Sequence, residues 1–214
     1  MLCSVPSPQT DCTVIRVGVH LFSLLFVSPA PAARDGGFYE DLTVSQETLL
    51  ELVDLGRLSP TGGNKQPLKF IISWEKEKNE LIYPTLAWAG YLTDWAGPEA
   101  GERPAAYIII LEDKDINMNV PKIDFGIAAQ SIMLGAAEKG LGGCMIYMVQ
   151  RQKLREVLHI PEKYEILMVL ALGQPKEEVV VDEIENEADI KYWRDNNRVH
   201  HVPKRKLKDV VLEL

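Results

Sequence analysis

Two continuous apolar runs limit what this chain can fold into. They are AAYIIIL at residues 105–111 and EILMVLAL at residues 165–172. Because neither run alternates between apolar and polar residues, each is predicted to be a β-strand covered on both faces. A long helix at residues 122–139 is predicted between them, and its many small side chains indicate close contact with another backbone. Helices and strands alternate along the chain, which predicts an α/β or α+β sandwich around one sheet.

Local signals place the other elements. Ser45 is a good N-cap, and Glu47 suits the positive end of the helix dipole that begins there. Val44 is predicted to pack against Leu49 in the first turns of this helix. The helix is expected to end just before Pro60, because the residue before a proline disfavours helical geometry. Further elements are predicted at residues 68–74 (strand), 141–149 (strand) and 151–158 (short amphipathic helix).

Composition excludes some classes of function. At 214 residues the chain fits one domain of ordinary size, and its formal net charge of -8 argues against binding nucleic acid. Cys3, Cys12 and Cys144 are too few and too scattered for a disulfide framework or a zinc site. This cysteine usage predicts a reducing compartment, the cytoplasm.

Residues 1–34 differ from the domain predicted for residues 35–214. Their only charged residues are Asp11, Arg16 and Arg34, and an apolar run at 17–27 is followed by SPAPAA. This order resembles a secretory signal, which leaves export as the alternative to the cytoplasm. The apolar run is too short to span a bilayer, which takes about 20 residues. A disordered extension and a stretch that is not native coding sequence are the other interpretations.

The loop at residues 59–67, SPTGGNKQP, is the richest candidate site. Gly62 and Gly63 allow positive φ angles and leave room for a ligand against the backbone. Asn64 and Gln66 each carry an amide that donates and accepts at once, which suits the edge of a flat heterocycle such as a flavin. The alternative interpretation is an ordinary turn between a helix and a strand.

A second candidate is KGLGGC at residues 139–144. Gly140 is predicted to cap the preceding helix. Gly142 and Gly143 begin a predicted strand, where glycine is unfavourable, so their bare backbone indicates that something packs on it and bonds to its N–H groups. Cys144 has apolar neighbours and no evident base, which predicts a buried, inert thiol.

A third candidate is the basic pair Lys204 and Arg205. It is either a solvated surface or a phosphate contact, with Arg binding in two-pronged fashion and Lys as a point charge. The neighbouring His200 and His201 are predicted to point in opposite directions and to lie on the surface, because adjacent residues of an extended segment alternate.

No Ser-His-Asp, P-loop or metal-ligand pattern emerges from the sequence. The glycine-rich segments also carry no strong acid–base side chains. If the chain is an enzyme, a cofactor is therefore expected to supply the chemistry.

Five segments taken in order resemble one family. They are SPTGGNKQP (59–67), ERPAAYIIIL (102–111), DFGIAAQSIMLGAAEKGLGGC (124–144), LALGQP (170–175) and PKR (203–205). Together they resemble the FMN-dependent nitroreductase family, and the resemblance runs from about residue 38 to the C-terminus.

The resemblance implies an α+β sandwich with a central mixed β-sheet flanked by helices. It also implies a homodimer that holds FMN in the groove between protomers. In such a protein NADH or NADPH delivers hydride to flavin N5, and a nitroaromatic, quinone or similar acceptor takes the electrons in a ping-pong cycle. Carried over by position, the cofactor-binding residues are Pro60, Thr61, Asn64, Gln66, Gly142, Gly143, Lys204 and Arg205.

The N-terminal phosphate grip departs from the family pattern. An arginine-rich element normally precedes the phenylalanine that corresponds to Phe38, and here Ala33, Arg34, Asp35 and Gly36 occupy its place. Arg34 is the one basic residue carried over as a phosphate contact. The departure leaves an alternative, a vestigial or non-catalytic binding protein of the same fold with impaired FMN phosphate binding.

Residues 88–103 are aromatic and glycine-rich, which is typical of a lid or substrate-facing loop. Trp88, Tyr91 and Trp95 are predicted either to stack on a planar substrate or to pack in the core or dimer interface. They do not identify a specialised member of the family, such as a dehalogenase or a flavin-fragmenting enzyme. The acceptor and the choice between NADH and NADPH stay open.

Overall fold

Two helices packed on an antiparallel sheet form the frame of the molecule. The computed structural model describes residues 37–88, 90–92, 95–116, 123–184, 189–197 and 199–212. The helices are α1 (Gln46–Leu58), α2 (Lys76–Ile82), α3 (Asp124–Glu138), α4 (Arg151–Val157) and α5 (Leu207–Val210). The strands are β1 (Leu68–Ser73), β2 (Ala106–Asp113), β3 (Gly142–Ile146), β4 (Tyr164–Gly173), β5 (Val179–Glu183), β6 (Trp193–Arg194) and β7 (His200–Lys204). Arg34 and the rest of residues 1–34 lie outside the described residues.

The first helix begins as its sequence predicts. The Ser45 hydroxyl accepts a hydrogen bond from the Thr48 N–H, which satisfies one of the unpaired amides at the helix N-terminus. Val44 and Leu49 are both buried in the same apolar cluster, which confirms the predicted contact region. The helix ends at Leu58, with Ser59 in an extended conformation before Pro60.

The main sheet has the order β1-β2-β4-β3, and every neighbouring pair in it is antiparallel. The sequence predicts a mixed central sheet, and in this respect the structure differs. β2 and β3 run in the same direction, as two strands joined by a crossover helix do, but β4 lies between them and makes both contacts antiparallel. The one parallel contact among the described strands joins β5 to β7 in a second sheet of order β5-β7-β6.

Both faces of the main sheet are covered, as the continuous apolar runs predict. Every residue of β2 is buried. Ile108 and Ile110 face a cluster that includes α1 and α3, whereas Ile109 and Leu111 face a second cluster that includes α4. The α+β fold with helices on the sheet is therefore confirmed.

Glycines allow α1 and α3 to approach closely. A Cβ on Gly135 would lie 3.2 Å from Leu52 Cδ2 and closer still to Leu55, and a Cβ on Gly56 would lie 2.9 Å from Ile132 Cδ1. Packing at this distance explains why the predicted helix at residues 122–139 is rich in small residues. Among the residues that the structure describes, no helix is long and apolar enough to cross a membrane.

Candidate functional site

Hydrogen bonds within the loop at residues 59–67 fix its backbone. A short 3-10 turn, Gly62–Asn64, follows Thr61, whose Oγ1 accepts from the Gln66 N–H at 3.1 Å. Gly63 has a φ of 57°, whereas Gly62 is not among the residues of positive φ. Asn64 and Gln66 take φ angles of 54° and 51° instead. Asn64 and Gln66 are therefore also in the left-handed region, and their side chains do not alternate as those of a β-strand do.

Asp124, the first residue of α3, anchors the loop. Its two carboxylate oxygens accept from the Gly62 N–H at 3.1 and 3.2 Å, and the residue is only 4% exposed. A carboxylate also suits this position because the helix dipole is positive there. The sequence analysis missed this residue, since nothing local marks a contact between positions 62 residues apart.

Most of the loop side chains that the sequence predicts to bind a ligand are accessible. Asn64, Gln66 and Pro60 are exposed, whereas Thr61 is half-buried. The Gln66 Nε2 donates to the Asn64 carbonyl at 3.3 Å, so this amide also supports the loop. An exposed Asn64 amide on a fixed backbone is an arrangement that can bind the edge of a planar heterocycle.

The structure gives Gly143 a role in internal packing. A Cβ at this position would lie 2.7 Å from Leu172 Cδ2, 2.8 Å from the Ala171 carbonyl oxygen and 2.8 Å from Met133 Cε. Gly142 and Gly143 are both buried and pair with Gly173 and Leu172 in the β3–β4 ladder. Close packing accounts for the absence of a side chain at Gly143, and a cofactor contact at these two glycines stays a prediction.

The segment around β3 confirms two smaller predictions. Gly140 has a φ of 74°, and the N–H of the following Leu141 donates to the Ala136 carbonyl, which closes α3 as a glycine C-cap does. Cys144 is buried, at 8% exposure.

Lys204 and Arg205 lie at the end of β7 and are exposed. His200 and His201 do point in opposite directions, but the prediction that both are surface residues is wrong for His200, which is fully buried. The reason is the small sheet at the C-terminus, in which His200 faces inward against Tyr192, with ring centroids 5.5 Å apart. His201 stacks on Trp193 at 4.2 Å.

The candidate groups lie at different ends of α3. The loop at residues 59–67 contacts the N-terminus of the helix through Asp124, whereas Gly142 follows its C-terminus. A 15-residue helix is about 22 Å long. One chain therefore does not bring the loop and the Gly142–Gly143 pair together.

A further accessible surface lies beside the loop. Tyr147 and Met148, which follow β3, are 58% and 69% exposed, and Tyr147 stacks on Phe125, with ring centroids 6.5 Å apart. Phe125 is the neighbour of the loop anchor Asp124. The sequence analysis missed this pair, although large apolar residues directly after a buried strand are a signal for an exposed apolar patch.

Each predicted lid aromatic has a partner within the chain. Trp88 stacks on Tyr83 at 5.6 Å, and Tyr91 packs on Tyr192 at 5.0 Å. Trp95 lies under the Arg194 guanidinium, 5.2 Å from the ring centroid to the guanidinium carbon. Ala87, the residue just before the predicted lid, contacts the patch formed by Tyr147 and Met148, because its N–H donates to the Met148 carbonyl at 3.0 Å. A role in stacking on a substrate stays a prediction.

Apolar side chains are exposed along the face that α1 and α3 share. Leu55, Leu58 and Leu134 are 40%, 55% and 44% exposed, and they line a groove of about 600 Å³ that reaches Pro60 in the loop. A contiguous apolar surface of this kind indicates a contact with another protein surface.

Comparisons with known proteins identify the family of this chain. The model of the nitroreductase family matches residues 37–174, more than half of the chain. A provisionally named NADH dehydrogenase/NAD(P)H nitroreductase of Archaeoglobus fulgidus is 27% identical over 147 residues, which cover 65% of this chain and 79% of the relative. The solved structure of an FMN-dependent nitroreductase from Clostridium difficile is 27% identical, with a TM-score of 0.53, and the match covers 71% of this chain and 87% of that one.

A more distant solved structure shows the same fold. It is a provisionally named nitroreductase from Desulfovibrio desulfuricans, solved in complex with FMN, with 21% identity, a TM-score of 0.55 and coverage of 67% of this chain and 82% of that one. Fold and motifs thus define an oxidoreductase of the nitroreductase class. The chain belongs to the nitroreductase family.

Proposed function

We propose that this protein is an FMN-dependent oxidoreductase that transfers hydride from NADH or NADPH to a nitroaromatic, quinone or similar acceptor. The observation that carries the proposal is the loop at residues 59–67, whose exposed Asn64 amide stands on a backbone held by Asp124. This loop lies within the segment that the family model matches. The FMN-dependent relative and the FMN complex described above support the choice of cofactor.

The residues of the loop fit a flavin ring. Asn64 offers one donor and one acceptor group side by side, and Gln66 supports it from behind through its bond to the Asn64 carbonyl. Lys204 and Arg205 are the basic residues that we assign to the phosphate, with Arg34 as a third candidate outside the described residues. Bound FMN would supply the redox chemistry, by taking hydride at N5 and passing electrons on after the nicotinamide has left.

The chain's own residues then have positioning tasks. Asn64 orients the ring through its amide, and the bond between Gly62 and Asp124 keeps the loop from moving when the ring enters. Tyr147 and Met148 provide apolar surface next to the loop, which excludes water from the face of a planar acceptor. No titratable side chain of the loop has to exchange a proton for hydride transfer to occur.

We further propose a homodimer with FMN at the protomer interface. The loop and the Gly142–Gly143 pair lie at opposite ends of α3, so a ligand that contacts both has to lie between two copies of the chain. The exposed apolar face of α1 and α3 borders the loop and supplies the surface for such a contact. We place the enzyme in the cytoplasm, and we treat residues 35–214 as the flavin-binding domain.

The purified full-length protein tests the proposal. We expect a yellow protein with flavin absorbance near one FMN per chain, a dimer by light scattering, and oxidation of NADH or NADPH that depends on an added nitroaromatic or quinone. A chain that lacks residues 1–34 should keep the same spectrum. A colourless protein that excess FMN does not reconstitute would contradict the proposal and favour the non-catalytic alternative.

Two variants test the residue assignment. Replacing Asn64 by Ala should weaken FMN binding by roughly tenfold, the cost of about one or two hydrogen bonds to the ring. Gln152→Ala, which removes an exposed amide from α4, is the matched control and should leave FMN affinity unchanged. Equal FMN affinity in the two variants would remove Asn64 from the site.

A further inference from the structure

A second cavity lies at the end of β1 and β2 that is opposite to the loop at residues 59–67. Its volume is about 560 Å³, which is within the range of small-molecule sites. Trp74 follows the last residue of β1, and Tyr107 is the second residue of β2; both line the cavity. Because the loop precedes the other end of β1, the cavity is separate from the loop at residues 59–67.

Unpartnered donors lie in the wall of this cavity. Tyr107 Oη and Arg103 Nε are buried and have no hydrogen-bond partner among the described residues, and both residues line the cavity. Tyr107 is fully buried. Leaving a buried polar group unsatisfied costs about 1–3 kcal/mol, so such groups indicate a binding partner. Both groups can donate, and the partner is therefore expected to present an acceptor oxygen.

Tyr83 joins the two donors into one cluster. The Arg103 guanidinium carbon lies 4.3 Å from the centroid of the Tyr83 ring, and the Tyr83 hydroxyl donates to the Pro98 carbonyl at 2.6 Å. Burial raises the pKa of Tyr83 and of Tyr107, and the neighbouring Arg103 opposes this shift without cancelling it. Both phenols are therefore neutral at physiological pH and remain hydrogen-bond donors.

The charges around the cavity come in opposite signs. Glu40 lines it, and its Oε2 accepts from the backbone N–H groups of Gly101 and Arg103. This contact places the Glu40 carboxylate at the Arg103 backbone, and both residues line the cavity. Asp41 and Glu80 add negative charge at the cavity, and Lys76 adds positive charge. A simple anion would meet this negative charge, whereas a molecule with both signs can match Arg103 and Glu40 together.

One wall of the cavity is aromatic. Trp74 is half-buried and offers ring surface near the polar groups, whereas the Tyr83 ring already contacts Arg103 and Trp88. Such a wall suits a flat or aromatic body attached to the charged groups.

We propose that this cavity binds a small zwitterion of the aromatic amino-acid type. Its carboxylate accepts hydrogen bonds from Tyr107 Oη and the Arg103 guanidinium, its ammonium group pairs with the Glu40 carboxylate, and its ring lies against Trp74. The assignment rests on the groups that line this cavity and does not depend on the proposed redox activity.

Calorimetric titration of the purified full-length protein, with its cofactor bound, tests the proposal with three probes. L-phenylalanine carries both charged groups, 3-phenylpropionate lacks the ammonium, and phenethylamine lacks the carboxylate. We expect L-phenylalanine to bind and each single-charge probe to bind roughly tenfold more weakly or worse, since each lacks one charged hydrogen-bond partner. No heat with L-phenylalanine at millimolar concentration would overturn the proposal, and so would 3-phenylpropionate that binds equally well.

Variants locate the binding. Tyr107→Phe removes only the hydroxyl and should weaken L-phenylalanine binding by roughly tenfold or more. Its free energy of unfolding without ligand should not fall, because the hydroxyl has no partner to lose. Glu40→Gln, which keeps an acceptor for Gly101, should weaken binding of L-phenylalanine but not of 3-phenylpropionate.

Tyr164→Phe makes the same chemical change at the other end of the sheet, where Tyr164 pairs with Asp113, and is the matched control. It should leave the affinity for L-phenylalanine unchanged. If L-phenylalanine binds equally well to Tyr107→Phe and to the unaltered protein, the ligand lies elsewhere and the assignment is wrong.

Discussion

Removing the carboxylate of Asp124 should loosen the loop and weaken FMN binding. The carboxylate is 4% exposed, and both oxygens lie within 3.2 Å of the Gly62 N. A hydrogen bond to a charged group contributes about 1.5–3 kcal/mol, and a carboxylate at a helix N-terminus about 0.3–1 kcal/mol. Asp124→Ala should therefore lower the free energy of unfolding by about 2–4 kcal/mol. For a protein of this length that corresponds to a fall in Tm of about 5–10 °C.

Asp124→Asn separates the charge from the hydrogen bond. Its amide oxygen can still accept from the Gly62 N–H, so the loss should be about 1 kcal/mol. Urea unfolding gives the stability of each variant, and fluorescence titration with FMN gives its affinity. Because the loop is part of the proposed ring contact, FMN affinity should fall in the same order, with Asp124→Ala weaker than Asp124→Asn and both weaker than the unaltered protein.

Two controls keep loop anchoring apart from general stability. Glu47→Gln changes an exposed acidic residue in the first turn of α1 and tests the dipole effect alone. Ser45→Ala removes the N-cap of α1 at a cost of about 1 kcal/mol, without touching the loop. If Ser45→Ala weakens FMN binding as much as Asp124→Asn does, the effect of Asp124 is general destabilisation and the anchoring role is refuted.

Three further changes test other features. Gly143→Ala should lower the free energy of unfolding by about 1–3 kcal/mol, since its Cβ would press on the β4 backbone. Gly126→Ala should raise the free energy of unfolding by about 0.5–1 kcal/mol, because nothing lies within 4 Å of the new Cβ. Denaturant unfolding of the two variants measures both changes. Because burial raises the pKa of Tyr107, the unfolded state loses the phenol proton first as pH rises above about 10, and the free energy of unfolding falls in that range. Tyr107→Phe should remove up to ~1.4 kcal/mol per pH unit from this dependence of the free energy of unfolding on pH. Arg205→Gln should reduce FMN affinity more than riboflavin affinity, whereas Lys208→Gln should change neither; equal losses for both ligands would place Arg205 away from the phosphate.

The sheet and its helices could be predicted because the faces that a strand or helix buries determine the spacing of apolar residues in the sequence. The run at residues 105–111 lacks alternation, and β2 is indeed covered on both faces. Ser45 and Gly140 mark helix ends through their own hydrogen-bonding and φ preferences, which depend on neighbours a few residues away. Such features are local, and one sequence contains all the information that they need.

The C-terminal sheet could not be predicted in the same way. β5, β6 and β7 are short, partly exposed strands, and residues 174 onward read only as a charged, extended tail. Their pairing is what buries His200, which lies opposite Val179 of β5 and Arg194 of β6. The pattern of one strand does not specify the other.

Gly143 and Asp124 show two limits of what the sequence reveals at the candidate site. Gly143 draws attention as bare backbone for a ligand, yet the crowding by Leu172, Ala171 and Met133 requires a glycine whether or not a ligand binds. Asp124 reads as an ordinary first-turn carboxylate, yet it holds the loop that presents Asn64. Both cases have one cause, since the sequence shows which residue stands at a position and not which distant atoms meet it. A glycine that a ligand requires differs from one that packing requires in the space around its Cβ, and an anchoring carboxylate differs from a capping one in whose N–H it accepts. The cofactor contact at the glycines after α3 stays a prediction, and the Asp124 variants test whether the carboxylate at the start of α3 supports the proposed site.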